Sequence, residues 1–331
     1  MSIVRISSGK TFSAFDGETL LDAALRSDVA LAYSCRTGRC AVCKCQVRQG
    51  LTVAIHDELA LTELERSSGW ILTCVRSARS DVELDVSDLG DIQLFPAKIT
   101  PCRILGLQRL SHDVLQVILR LPPTGEFNFH PGQYVEVIGR DGLRRSYSIA
   151  NAPSPEKTIE LHIRCVPDGA MSRYWFETAK VGDLLRLNGP LGTFFLRDVD
   201  GMDLVFLATG TGIAPVKAIL EGLAQRIDGP TPRSVSVYWG GRIRDDLYFD
   251  MEDVGFAHQF VPVLSKADDV WDGARGHVQQ AMLARPHEWD QTIVYACGSE
   301  AMIQDSRMQL MEAGLTERSF LSDAFVCSAT T

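Results

Sequence analysis

The chain has 331 residues, 45% of them apolar and 23% charged, with a formal net charge of −9 at pH 7. That length is too great for one core of ordinary size and points to two or three domains. The composition excludes a disordered chain, and the negative balance argues against nucleic acid or an anionic membrane as the main partner.

The N-terminus Met1-Ser2-Ile3-Val4-Arg5 opens no long apolar run, and no stretch approaches the ~20 apolar residues of a membrane helix. A reduced, cytoplasmic location is the expectation. Residues 1–15 alternate apolar and polar around Ser7-Ser8-Gly9, which predicts a hairpin. Leu20–Leu25 has helical spacing with Thr19 as its cap. Next comes Cys35-Arg36-Thr37-Gly38-Arg39-Cys40-Ala41-Val42-Cys43, a C-x4-C-x2-C run, with Cys74 further on. This is the plant-type ligand spacing of a [2Fe–2S] cluster. Gly38 lets the loop turn tightly and brings backbone N–H groups near the sulfurs. A zinc site or free buried thiols are the alternatives. Zinc sites favour paired knuckles or histidine, and only His56 lies nearby, outside the motif. Cys45 is expected to be a core thiol. Arg36, Arg39, Lys44 and Arg48 form either a solvated basic edge or a docking face for an acidic partner. A strand through Lys44–Val47, a helix over Glu58–Arg66 and a closing strand over Val82–Val86 complete a small sheet crossed by one helix. The first domain spans 1–94, and a linker begins at Phe95-Pro96.

From Ala97 short strands follow at a regular rhythm: Arg103–Leu107, Val114–Leu121, Gln133–Ile138, Ser146–Ala150, Thr158–Cys165 and Leu184–Leu187. Pro/Gly turns separate them, so 97–198 is expected to be a closed antiparallel barrel. Arg145-Ser146-Tyr147-Ser148 ends one strand. A flavin needs an aromatic face, a hydrogen-bonding group near N5 and a cation at its pyrophosphate. Tyr147, Ser148 and Arg145 are of those types. Gly169-Ala170-Met171-Ser172 is either a phosphate-binding turn or a plain capped turn.

Residues 201–331 alternate buried-type strands and helices, which means a parallel α/β sheet. Leu204–Ala208 leads into Gly210-Thr211-Gly212-Ile213-Ala214-Pro215 and a helix over Ala214–Arg226. A glycine turn there lets a dinucleotide pyrophosphate approach a helix start, or is only a tight strand-to-helix turn. Further strands are expected at Val235–Trp239, Phe260–Leu264 and Ile293–Ala296, with helices at His277–Leu283 and Glu300–Glu312. Cys297-Gly298-Ser299 repeats the strand–glycine–helix pattern, so Cys297 either lies beside the nicotinamide or is a core thiol.

In this order the cysteine loop, Arg145–Asn151, Leu161-His162-Ile163-Arg164, Gly189-Pro190-Leu191-Gly192, Gly210–Pro215, Tyr295-Ala296-Cys297-Gly298 and Asp323-Ala324-Phe325 resemble the one-chain NAD(P)H-dependent flavin/iron–sulfur reductases. The resemblance spans nearly the whole chain. It implies a β-grasp ferredoxin domain, an antiparallel β-barrel for FAD and an α/β domain for the nicotinamide nucleotide. Cys35, Cys40, Cys43 and Cys74 would be the metal ligands. Arg145, Ser146, Tyr147, Ser148, His162, Ile163, Arg164, Gly169, Met171 and Ser172 would hold FAD. Gly210, Thr211, Gly212, Cys297 and Gly298 would line the nucleotide site, and Ser148, Cys297, Asp323 and Phe325 would serve the chemistry. The family's C-terminal aromatic near the flavin is Phe325 here rather than Tyr, with six residues after it. The implied electron order is NADH, FAD, cluster, partner. NADH is favoured over NADPH because Asp245 and Asp246 follow Arg242 and Arg244. Two branches are similar: reductases of aromatic ring-hydroxylating oxygenases, whose acceptor is a terminal oxygenase or ferredoxin, and the reductase of CDP-4-keto-6-deoxyglucose 3-dehydratase. Ser34–Cys40 and Cys43-Lys44-Cys45 look like the oxygenase branch, which is favoured; Leu21–Leu25, Arg145–Asn151 and Ser322–Val326 look like the dehydratase branch too. A monomer with no nucleic-acid or membrane partner is expected.

Overall fold

The computed structural model describes residues 1–90, 92–139, 142–226 and 229–325. Met1–Phe95 form one compact unit and Pro96–Phe325 another.

In the first unit β1 (Ser2–Ile6) and β2 (Thr11–Ala14) form the expected hairpin. Its alternation buries Val4, Ile6, Phe12 and Ala14. Helix α1 (Leu20–Arg26) starts where Thr19 Oγ1 accepts the Asp22 N–H at 2.9 Å. Then come β3 (Lys44–Gln49), β4 (Thr52–Ala54), α2 (Glu63–Ser67), β5 (Trp70–Leu72), β6 (Arg76–Ala78) and β7 (Val82–Asp85). The main sheet runs β2-β1-β7-β3-β5, with β1 and β7 parallel and the rest antiparallel. The second helix starts five residues later than its sequence suggests. Thr62 and Glu65 close a capping box there. The preceding residues are committed elsewhere: the Ala60 N–H donates to Gly38 O, and the Glu58 carboxylate takes the Leu72 N–H at 2.9 Å and pairs with Arg76.

The second unit opens with β8 (Lys98–Arg109), β9 (Val114–Arg120), β10 (Tyr134–Ile138), β11 (Arg144–Ser148), β12 (Thr158–Arg164), the short α3 (Ala170–Arg173) and β13 (Leu184–Leu191). Their antiparallel sheet runs β11-β10-β13-β8-β9-β12. Its two ends meet through an Ile149–Leu161 bridge and an Ala150 N–H bond to Glu160 O at 2.8 Å, which closes the barrel. Next come β14 (Asp203–Thr209), α4 (Ile213–Ala224), β15 (Ser234–Gly241), β16 (Gln259–Leu264), β17 (Ala274–Arg275), α5 (Val278–Leu283), β18 (Thr292–Ser299), α6 (Glu300–Glu312) and β19 (Phe320–Phe325). This sheet runs β17-β16-β15-β14-β18-β19, and every pair is parallel. Phe206, Trp239 and Tyr295 are fully buried at its centre. Among the described residues no helix is long and apolar enough to cross a membrane.

Candidate electron-transfer site

The cysteine loop lies between α1 and β3. Arg36, Gly38 and Ala41 all have positive φ, of 58°, 74° and 59°. Two of these are not glycine, and such backbone costs on the order of 1 kcal/mol or more each. Loops tolerate that where they wrap a ligand. Gly38 cannot be replaced: a Cβ there would lie 2.3 Å from Asp57 O. The four cysteines gather as two pairs. Cys35 lies beside Cys40, and Cys43 beside Cys74. The Cys40 contact, with the Thr37 N–H 3.4 Å from Cys35 Sγ, lowers the Cys35 thiol, and the same contact raises that of Cys40. The Gly38 N–H reaches Cys74. Thiolates are the metal-binding form, and N–H bonds to sulfur tune a cluster. Two thiol pairs fit the two irons of a [2Fe–2S] group. Among the described residues no set of three or more His, Cys, Asp or Glu closes on a point suited to a single ion. Cys45 is 1% exposed in the core, where burial pushes its thiol up to about 12. The nearby cations are largely balanced: Arg36 pairs with Asp22, Lys44 with Glu65 at 2.5 Å, and Arg48 with Asp85.

Strand β11 places Arg145 and Tyr147 on one face and Ser146 and Ser148 on the other. Trp175 Nε1 donates to Tyr147 Oη at 3.1 Å, with the two rings edge to face. Burial pushes the Tyr147 hydroxyl up to about 12, so it stays neutral. An oriented neutral aromatic beside a cation suits an isoalloxazine and its pyrophosphate. Ser148 is buried opposite Tyr134. Ile163 and Met171 pack in the barrel core, so only their backbone faces outward chemistry. Gly169 caps α3, and Ser172 Oγ accepts the Val166 N–H at 2.9 Å. Both ring nitrogens of His162 are engaged, Nε2 with Glu160 at 2.8 Å and Nδ1 with Tyr248 at 3.2 Å.

A single 3₁₀ turn over Gly210–Gly212 joins β14 to α4. A Cβ on Gly212 would lie 2.1 Å from the Cys297 carbonyl oxygen, and one on Gly298 would lie 2.1 Å from Thr209 Oγ1. The carboxyl ends of β14 and β18 therefore close on each other only because both positions are glycine. Thr211 sits half-buried in the turn. Arg164, from the barrel, lies with its guanidinium 3.2 Å from where a Gly210 Cβ would be. Its Nε and one terminal nitrogen are buried without a hydrogen-bond partner. Asp113 pairs with the Nε at 3.5 Å, which leaves a terminal nitrogen unused; a cation with a spare donor against a glycine turn fits a phosphate-bearing ligand. Cys297 is fully buried, and burial with nearby Asp323 keeps its thiol protonated. Asp323 is buried on β19, in register with Cys297. Phe325 is half-buried at the end of that strand. Val326 and Cys327 lie outside the described residues.

Sequence reasoning missed a buried group in the same unit. Lys217, on α4, is bonded to Ala150 O and Glu160 at 3.0 Å each and to Glu221 at 2.6 Å. Its signal was a lone charge inside the apolar run Ile213–Leu220.

Fold and site together define an electron-transfer oxidoreductase of the flavin- and nicotinamide-dependent class, with an iron–sulfur domain on the same chain. A 2Fe-2S iron–sulfur cluster binding domain matches residues 4–79, an oxidoreductase FAD-binding domain 101–196, and an oxidoreductase NAD-binding domain 206–308. The CDP-6-deoxy-L-threo-D-glycero-4-hexulose-3-dehydrase reductase of Yersinia pestis is 42% identical over 325 residues, 97% of each chain. A phenol 2-monooxygenase reductase component of Pseudomonas sp. (strain CF600) is 33% identical, over 97% of this chain and 93% of that one. The crystal structure of an Amycolatopsis cytochrome P450 reductase superposes with a TM-score of 0.76 at 30% identity, covering 98% and 99% of the two chains. The chain belongs to the family of one-chain NAD(P)H-dependent reductases that join a 2Fe–2S domain to FAD- and NAD-binding domains.

Proposed function

We propose that this reductase supplies electrons to a dehydrase acting on a CDP-linked 4-keto-6-deoxyhexose. The carrying observation is its 42% identity to the dehydrase reductase over nearly the full length of both chains, against 33% for the phenol monooxygenase component. It supports the dehydrase branch over the oxygenase branch that the cysteine loop favoured.

When bound, FAD accepts two electrons together from a hydride and releases them singly, as a one-electron cluster requires. The chain's part is placement. Cys35, Cys40, Cys43 and Cys74 hold the irons, and the Thr37 and Gly38 N–H groups bond to sulfur. Tyr147, fixed by Trp175, would offer a face to the flavin ring, Arg145 a cation to its phosphates and Ser148 a hydroxyl to the ring edge. Gly210–Gly212 and Arg164 receive the dinucleotide pyrophosphate, while Cys297, kept as a thiol, and Asp323 line the nicotinamide end. NADH is the donor. Arg242 is held by Asp246 at 3.2 Å and Arg244 lies over the Trp271 ring at 5.2 Å, so neither stands unengaged for a 2′-phosphate.

Reconstitution tests the reading. With NADH, adding the CDP-hexulose dehydrase and its substrate should accelerate NADH consumption with formation of the 3-deoxy product. Acceleration by an oxygenase component and none by the dehydrase would overturn it.

A further inference from the structure

We propose that Lys217 is a positioning residue for hydride transfer, fixing the helix behind the nucleotide turn to the strand end behind the flavin motif. The inference rests on the nicotinamide–flavin reading above. Lys217 lies five residues beyond Gly212, and Ala150 lies two beyond Ser148. Lys217 is 8% exposed, and its three ammonium bonds go to Ala150 O, Glu160 Oε2 and Glu221 Oε1. An ammonium has three donors, so its capacity is used. Both acids are anchored further. Glu221 Oε2 accepts the Ala152 N–H at 2.9 Å. Glu160 Oε1 accepts from Gln116 Nε2 at 2.8 Å and lies 2.8 Å from His162 Nε2. His162 in turn reaches Tyr248, just past β15, at 3.2 Å. Two barrel strands, one barrel loop, the nucleotide helix and a second loop, in the α/β part, thus share one largely part-buried network.

Stability alone does not explain it. Apolar residues of equal volume often replace a buried ion pair at no loss, and in some folds such a pair serves instead to specify one register. Register matters here, because a misplacement of about 1 Å between reacting groups can cost roughly 100-fold in rate.

The experiment uses the full holo-chain carrying Lys217→Met, which keeps the stem and removes the charge. Stopped-flow flavin reduction by NADH should slow about 10-fold or more at saturation. NAD⁺ affinity and the rate of electron passage from flavin to cluster should stay within about twofold. In flavin-free chain, hydrogen exchange should rise at the Ala152 amide and the first turn of α4. If Lys217→Met does not fold, Glu160→Gln should give the same pattern at smaller amplitude. An unchanged saturating rate in either variant would overturn the proposal. So would a parallel loss of NAD⁺ affinity, which would make Lys217 a ligand contact. If wild-type protein takes up no flavin, the underlying reading fails, and the exchange measurement still decides whether Lys217 joins the two parts: unchanged protection overturns it.

Discussion

Arg164 carries a buried terminal nitrogen without a hydrogen-bond partner beside a glycine turn, while its Nε pairs with Asp113 at 3.5 Å. Unpaired buried donors cost about 1–3 kcal/mol, and a ligand phosphate relieves that. Arg164→Met should therefore weaken NAD⁺ binding about 10-fold or more by calorimetric titration. Glu160 gives a pH signature. Burial opposes its ionisation, but the His162 hydrogen bond and the charge of Lys217 hold its carboxyl down to about 2, against an ordinary 4.5. A depressed carboxyl contributes stability above its unfolded pKa and loses it as pH falls through the folded one. Wild type should lose on the order of 3 kcal/mol more than Glu160→Gln as pH falls from about 4.5 to about 2. Urea midpoints across that range check it, and parallel curves would contradict it.

At the scale of elements, legibility followed chain distance. The cysteine loop and the glycine turn were readable because their chemistry needs particular residues a few positions apart. Cys74→Ser, in the turn after β5, should alter the visible spectrum of the cluster, whereas Cys45→Ala, on β3, should leave it unchanged. The three-residue strands β4, β5 and β6 escaped because three residues show no alternation, and the start of α2 escaped because loop contacts with Gly38 override its helical spacing. The basic face around the loop looked unbalanced in sequence because Asp22, Glu65 and Asp85 come from other elements. The Lys217 network was hidden for the same reason: Glu160 stands 57 residues away. In the turn, Gly212→Ala would drive a Cβ into the Cys297 carbonyl oxygen. It should cost about 1–3 kcal/mol by chemical denaturation and abolish tight NAD⁺ binding.

Over the whole molecule, each domain answers one requirement of passing a hydride's two electrons to a one-electron acceptor. The α/β sheet offers the glycine turn, the barrel offers Arg145, Tyr147 and Ser148, and the first unit offers paired thiols. The match to the dehydrase reductase runs through all three parts of this chain, over 97% of its length. Anaerobic titration of purified protein with NADH, followed by visible absorption, tests this relay most directly. The flavin and cluster bands should bleach together and finish near about 1.5 equivalents of NADH, since FAD takes two electrons and the cluster one. Bleaching that ends at one equivalent with the cluster band intact, or no bleaching at all, would contradict it.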